Sequence, residues 1–127
     1  MTTQIATDIN VAIETEYVAT QRIEDIEHFV FSYTITVKNN SKKPIQLLSR
    51  YWLITDGNGK ESTVAGEGVV GVQPHIDINE SYTYTSGCYL KTPVGSMQGH
   101  YLVVDNDNNS YQVDIPLFGL ALPNALN

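Results

Sequence analysis

Phe29-Val30-Phe31-Ser32-Tyr33-Thr34-Ile35-Thr36-Val37-Lys38 is the stretch that decides the fold. Phe29, Phe31, Tyr33, Ile35 and Val37 occupy alternate positions and share one face, against Ser32, Thr34, Thr36 and Lys38 on the other. A strand turns successive side chains to opposite faces, so this spacing predicts one face against a core and one against water. The apolar positions are all aromatic or β-branched, the types that fit a pleated, half-buried surface. Working upstream, residues 21–27 are a polar, acidic stretch, before which Ile9, Val11 and Ile13 alternate with Asp8, Asn10 and Glu14 as a half-buried strand.

Downstream, Asn39-Asn40-Ser41-Lys42-Lys43-Pro44 is turn-forming. A second apolar pattern runs through Ile45, Leu47 and Leu48 to Tyr51, Trp52, Leu53 and Ile54. It stops at the hairpin sequence Asp56-Gly57-Asn58-Gly59, and residues 60–64 form the expected return strand. Ser81-Tyr82-Thr83-Tyr84-Thr85 is a further short strand. Met97, Tyr101 and Val103, then Tyr111, Val113 and Ile115, predict a last hairpin around a polar turn. No stretch combines helical length, a 3.6-residue pattern and caps, and no repeat has a fixed period. About seven short strands with close turns predict an all-β fold, a two-sheet antiparallel sandwich of the immunoglobulin or fibronectin type III kind, with barrel closure as the alternative. The Cys…Trp…Cys spacing of antibody domains is absent. Residues 117–127, with Pro116 before them and Pro123 among them, are apolar enough to pack on the body or on a partner.

The chain has 127 residues, enough for one domain spanning 1–127 with its own core. Seven Lys and Arg against fourteen Asp and Glu give a formal net charge of −7. That charge opposes attraction to nucleic-acid backbones and to anionic membranes. Apolar runs extend only a few residues, so no membrane-inserting segment or signal-peptide core is expected. The single cysteine, Cys88, cannot form an internal disulfide and fits a reducing, cytoplasmic location.

Four patterns carry chemistry. Gly66-Glu67-Gly68-Val69-Val70-Gly71 matches G-x-G-x-x-G, in which glycines let backbone approach a pyrophosphate at a helix N-terminus. Here Val72-Gln73-Pro74 follows in place of a helix, Glu67 opposes phosphate, and the nearest basic residue in sequence is Lys60, so a glycine-built loop linking two strands is expected. Asp105-Asn106-Asp107-Asn108-Asn109 opens like a calcium loop but continues with Ser110 where glycine is needed and Pro116 where a bidentate glutamate is needed. A solvated turn is the expectation. His28, His75 and His100 lack any short metal-ligand spacing, and Cys88 lies outside any helix N-terminus that would acidify it, so neither a metal nor a catalytic thiol is expected. Arg50 and Trp52, two apart on one strand, share a face. They form either an interaction face or a core aromatic beside an arginine that snorkels or pairs with a carboxylate.

The run Leu47-Leu48-Ser49-Arg50-Tyr51-Trp52-Leu53-Ile54-Thr55-Asp56-Gly57-Asn58-Gly59-Lys60, with Gly66-Glu67-Gly68-Val69-Val70-Gly71 and Gln73-Pro74, closely resembles the bacterial ApaG family. Tyr84-Thr85-Ser86-Gly87, residues 90–99 and the ending Ile115-Pro116-Leu117-Phe118 extend the resemblance over nearly the whole chain. It implies a fibronectin type III-like sandwich. It also implies a protein-interaction role, as in eukaryotic F-box proteins that carry the domain, and a link, under the alternative name CorD, to cobalt resistance and magnesium efflux. The chain departs from the family pattern at Gln21-Arg22-Ile23-Glu24, at Asn79-Glu80 and at Ala65, where a basic residue often precedes the glycine loop.

The reading is therefore a non-enzymatic domain without cofactor or metal. It binds a protein partner or a second copy through residues 66–71, through a sheet face such as the one carrying Arg50 and Trp52, or through an exposed strand edge. A cation-homeostasis protein and a weak pyrophosphate or dinucleotide binder are the alternatives.

Overall fold

The computed structural model describes residues 4–123, and these contain no helix. The strands are β1 (Gln4–Ile5), β2 (Ile9–Ile23), β3 (Ile26–Asn39), β4 (Ile45–Asp56), β5 (Glu61–Glu67), β6 (His75–Ile76), β7 (Ser81–Leu90), β8 (Val94–Asp105) and β9 (Ser110–Ala121). One sheet runs β1-β9-β8-β4-β5, with β6 on the other half of β4, and the second runs β2-β3-β7. Ser49 to Thr55 of β4 pair with β5, while Ile45 and Gln46 pair with β6. All pairings are antiparallel except β1 with β9. The result is the expected all-β sandwich, open rather than closed into a barrel.

Phe31, Tyr33, Ile35 and Val37 of the deciding strand are all buried, together with Leu47 and Trp52 of β4, Tyr84, Cys88 and Leu90 of β7, and Met97, Tyr101 and Val103 of β8. At about 1.5–3 kcal/mol for each large apolar side chain removed from water, this shared layer is the main favourable term. Trp52 sits at its centre, 2% exposed, with Tyr33 and Phe118 edge-on at centroid distances of 5.4 and 5.8 Å. The Tyr84 and Tyr101 hydroxyls meet inside the same layer, each satisfying the other. Asn39, fully buried, donates through Nδ2 to the carbonyls of Lys43 and Ile76 and accepts from Ser41, which fixes the β3–β4 turn.

Three expectations need correction. The polar, acidic stretch at residues 21–27, where the sequence predicts no strand, is strand: β2 and β3 continue through it as a ribbon closed by Glu24 and Asp25, at φ 50° and 65°. Positive φ at both central residues is the twist-matched hairpin turn. The apolar alternation fades there because both faces of the ribbon are exposed, so no face needs apolar residues. The strand at residues 81–85 runs on to Leu90. The return strand extends to Glu67, so Gly66 and Glu67 belong to β5 rather than to a loop. The polar turns at Asp56-Gly57-Asn58-Gly59 and at residues 105–109 close hairpins as expected. Of the expected C-terminal packing, Leu120 is buried and Leu117 is 63% exposed, and residues 124–127 lie outside the described range.

Candidate binding site at the glycine loop

The strand β5 ends at Glu67, and Gly68 turns the chain with φ +64°. A Cβ there would stand 2.3 Å from the Val72 carbonyl oxygen, so only glycine fits. Val69 and Val72 then exchange two backbone hydrogen bonds, of 2.7 and 3.1 Å, around a two-residue turn of Val70 and Gly71. Those residues have φ +47° and +79°. Gly71 adopts this region freely, whereas a β-branched residue there is a steric outlier, so Val70 is held against its own preference.

The loop is clamped to β4 on several sides. The Gly68 N–H and the Gln73 Nε2 both donate to the Leu48 carbonyl, at 2.8 and 2.9 Å. Gln46 Nε2 donates to the Gln73 carbonyl, and the Leu47 N–H to that of Pro74. Arg50 Nη1 donates to the carbonyls of Glu67 and Gly68, both at 3.0 Å. Val69 points inward and is fully buried, while Val70 is 61% and Val72 46% exposed. The product is a braced hairpin tip that presents two valine side chains to solvent.

Arg50 and Trp52 do share a face, as their spacing requires, but that face is the interior one. Trp52 is core and offers no exposed surface. Its Nε1 is the buried side-chain polar atom left without a hydrogen-bond partner among the described residues. Among the described residues Arg50 pairs with no carboxylate, and its donors go to the loop's carbonyls instead. Burial raises the Tyr33, Tyr84 and Tyr101 hydroxyls above the usual tyrosine value, and the Arg50 charge offsets only a small part of that rise. Val69, with no exposure, cannot reach a partner. Of the two apolar candidates on the loop, Val70 is the exposed one.

The geometry also bears on the other chemistries. A phosphate cradle needs backbone N–H groups aimed at the ligand. Those of Gly68, Val69 and Val72 are each taken by a carbonyl of the protein. His28 lies beside Tyr89, His75 is on β6, and His100 stacks on Tyr51 at 5.2 Å. No group of three or more His, Cys, Asp or Glu capable of holding a metal occurs among the described residues. Asp105 accepts hydrogen bonds from the Asp107 and Asn109 amides, the Asn109 side chain and the Tyr111 hydroxyl. The Lys43 ammonium lies 2.6 Å from Asp107 and 3.9 Å from Asp105. That turn therefore holds its own cation. Cys88 is buried, and its thiol is pushed up to about 11, first by burial and then by the Asp56 charge, which suits a packing role. A separate cleft of about 300 Å³, lined by Ile9, Ile45, Val103, Lys43 and Asp105 among others, shares no residue with the glycine loop.

The family model described as ApaG domain matches residues 19–105. Protein ApaG of Cronobacter sakazakii is 53% identical over 117 residues, which is 92% of this chain and 94% of that one. Protein ApaG of an Enterobacter species is 51% identical over the same shares. The crystal structure of the putative ApaA protein from Bordetella pertussis superimposes with a TM-score of 0.86 at 38% identity, covering 98% of this chain and all of that one. With the sandwich and the braced glycine hairpin, this places the chain in the ApaG family.

Proposed function

We propose that the protein is a non-enzymatic binding domain that docks on another protein through the tip of the glycine hairpin. The observation that carries this reading is Val70, a β-branched residue at φ +47° that is nevertheless 61% exposed. Strain of this kind costs about 1–3 kcal/mol, and asparagine or glycine would relieve it at the same position. A fold that keeps valine there gains no core packing in return. The gain lies in presenting an apolar side chain on a rigid backbone, where little freedom is left to lose on binding. Val72 beside it widens the contact, and the acidic Glu67 borders it.

The test is capture from an extract of the native cell with two baits, the wild-type chain and Val70→Asn, which keeps the turn and removes the apolar knob. Proteins retained by the first and lost by the second are partners of the hairpin. Identical eluates from the two baits overturn the reading.

A further inference from the structure

The strand β2 is the outer strand of the β2-β3-β7 sheet: among the described residues no strand hydrogen-bonds along its far edge, although β9 of the other sheet approaches part of it. Leu90, the last residue of β7, pairs with Phe29, and beyond that point the β2–β3 ribbon continues alone to its turn. Residues 20–27 are all exposed. A free two-stranded ribbon buries too little surface to be held by its own contacts.

Its side chains are not neutral filler. Cross-strand partners share a face, so the pairs Ala19 with Val30, Gln21 with His28 and Ile23 with Ile26 place one stripe on the outer side, continued by Tyr89 opposite Val30. Ile23, Ile26 and Tyr89 are 39%, 46% and 56% exposed, and the His28 ring meets Tyr89 edge-on. Glu14 and Glu16 lie on the same outer side at one end of the stripe, and Glu24 and Asp25 close the other. From Ile9 to Phe29 the chain carries five carboxylates against a single arginine, and neither lysine nor proline. Lysine and proline, the residues most used to close an edge to strand addition, are thus absent; the protections present are the charged side chains and a bulge between Tyr17 and Ala19. Carboxylates at both ends repel a second copy of this ribbon and attract a basic one.

We propose that the ribbon is a docking arm for an extended segment of another protein, apolar in the middle and rich in lysine or arginine at its ends, added as a further strand on the free edge of β2. This shares the binding-domain reading but not its surface, since no residue of the arm belongs to the glycine hairpin.

The experiment titrates the isotopically labelled full chain with a synthetic peptide of alternating valine and lysine, and with its glutamate counterpart. Saturable amide shifts confined to residues 14–28 and to Tyr89, with the lysine peptide alone, are expected. Ile23→Ser with Ile26→Ser should weaken that binding about tenfold or more, and Glu14→Lys with Glu16→Lys should do the same should the first pair melt early. Val70→Asn should leave it unchanged, which separates failure here from failure of the hairpin reading. Absent or unsaturable shifts, shifts centred elsewhere, or binding indifferent to both variant pairs would overturn the proposal. So would sedimentation showing that the free chain dimerises and that Ile23→Ser with Ile26→Ser abolishes the dimer, because the occupant would then be a second copy.

Discussion

Arg50 lies across Gly66, so close that a Cβ at position 66 would stand 3.0 Å from Nη1 and 3.1 Å from Nη2. The missing side chain gives the guanidinium its path to the Glu67 and Gly68 carbonyls. Arg50→Met keeps most of the aliphatic stem and strips both carbonyls of their donor. It should cost about 1–3 kcal/mol in chemical denaturation, the usual penalty for leaving such groups without a partner. Amide exchange at Val69 and Val72 should accelerate with it, since the hairpin loses its brace. Unchanged stability together with unchanged protection would mean that the clamp does not depend on Arg50.

The two adjacent valines should respond in opposite directions. Val70→Asn replaces a strained β-branched residue with one that tolerates positive φ, and should raise stability by about 1 kcal/mol. Val69→Asp places a carboxylate where the side chain is fully buried among apolar groups, and should lower stability by about 3 kcal/mol or more. Thermal unfolding of both variants checks the assignment, and equal small effects at the two positions would contradict it.

These valines also show where sequence reading reaches its limit. The deciding strand was legible because one of its faces is buried from Phe31 to Val37, which forces strict alternation over that span. The turn at residues 68–71 was legible because Gly68 and Gly71 stand where φ is positive. Which of Val69 and Val70 turns inward was not legible, since it depends on the phase of the turn, and both are valine. The same holds for Trp52. Its shared face with Arg50 follows from spacing, but β4 carries apolar residues on both sides, Tyr51 and Leu53 opposite Trp52 and Ile54, and a register shift between Leu47 and Ser49 resets the phase. The β2–β3 ribbon was missed for the converse reason, because a strand exposed on both faces has no period to read.

Acid should act first on the turn between β8 and β9. Burial pushes the Asp105 carboxyl up, but hydrogen bonds from the Asn109 and Asp107 amides, the Asn109 side chain and Tyr111 outweigh it and hold the group below the usual carboxylate range. A lowered folded pKa gives stability that is present above the ordinary value, about 4, and lost as pH falls through the lower folded one. Asp105→Asn cannot titrate, and it turns an amide donor toward groups that now donate to the carboxylate. Its melting temperature should therefore be lower than wild type near neutrality, and the two curves should converge as pH falls below about 4. Curves that stay parallel down to the acid limit would assign the acid sensitivity to another group.

Alkali should act through Cys88. Its thiol is 5% exposed and pushed up to about 11, first by burial and then by the nearby Asp56 charge. In the unfolded chain the thiol ionises near its ordinary value of about 8.5. A raised folded pKa gives stability that is complete below the unfolded value and declines as pH climbs toward the folded one. Wild type should therefore lose melting temperature between about pH 8.5 and 10, before the buried tyrosines contribute, and Cys88→Ala should lose less over that interval. The same burial keeps the nucleophilic thiolate scarce. The native protein at about pH 8 should react with iodoacetamide only as fast as it opens, and at the rate of a free thiol once denaturant is added. Prompt labelling of the folded chain would show that Cys88 is accessible and would reopen a chemical role for it.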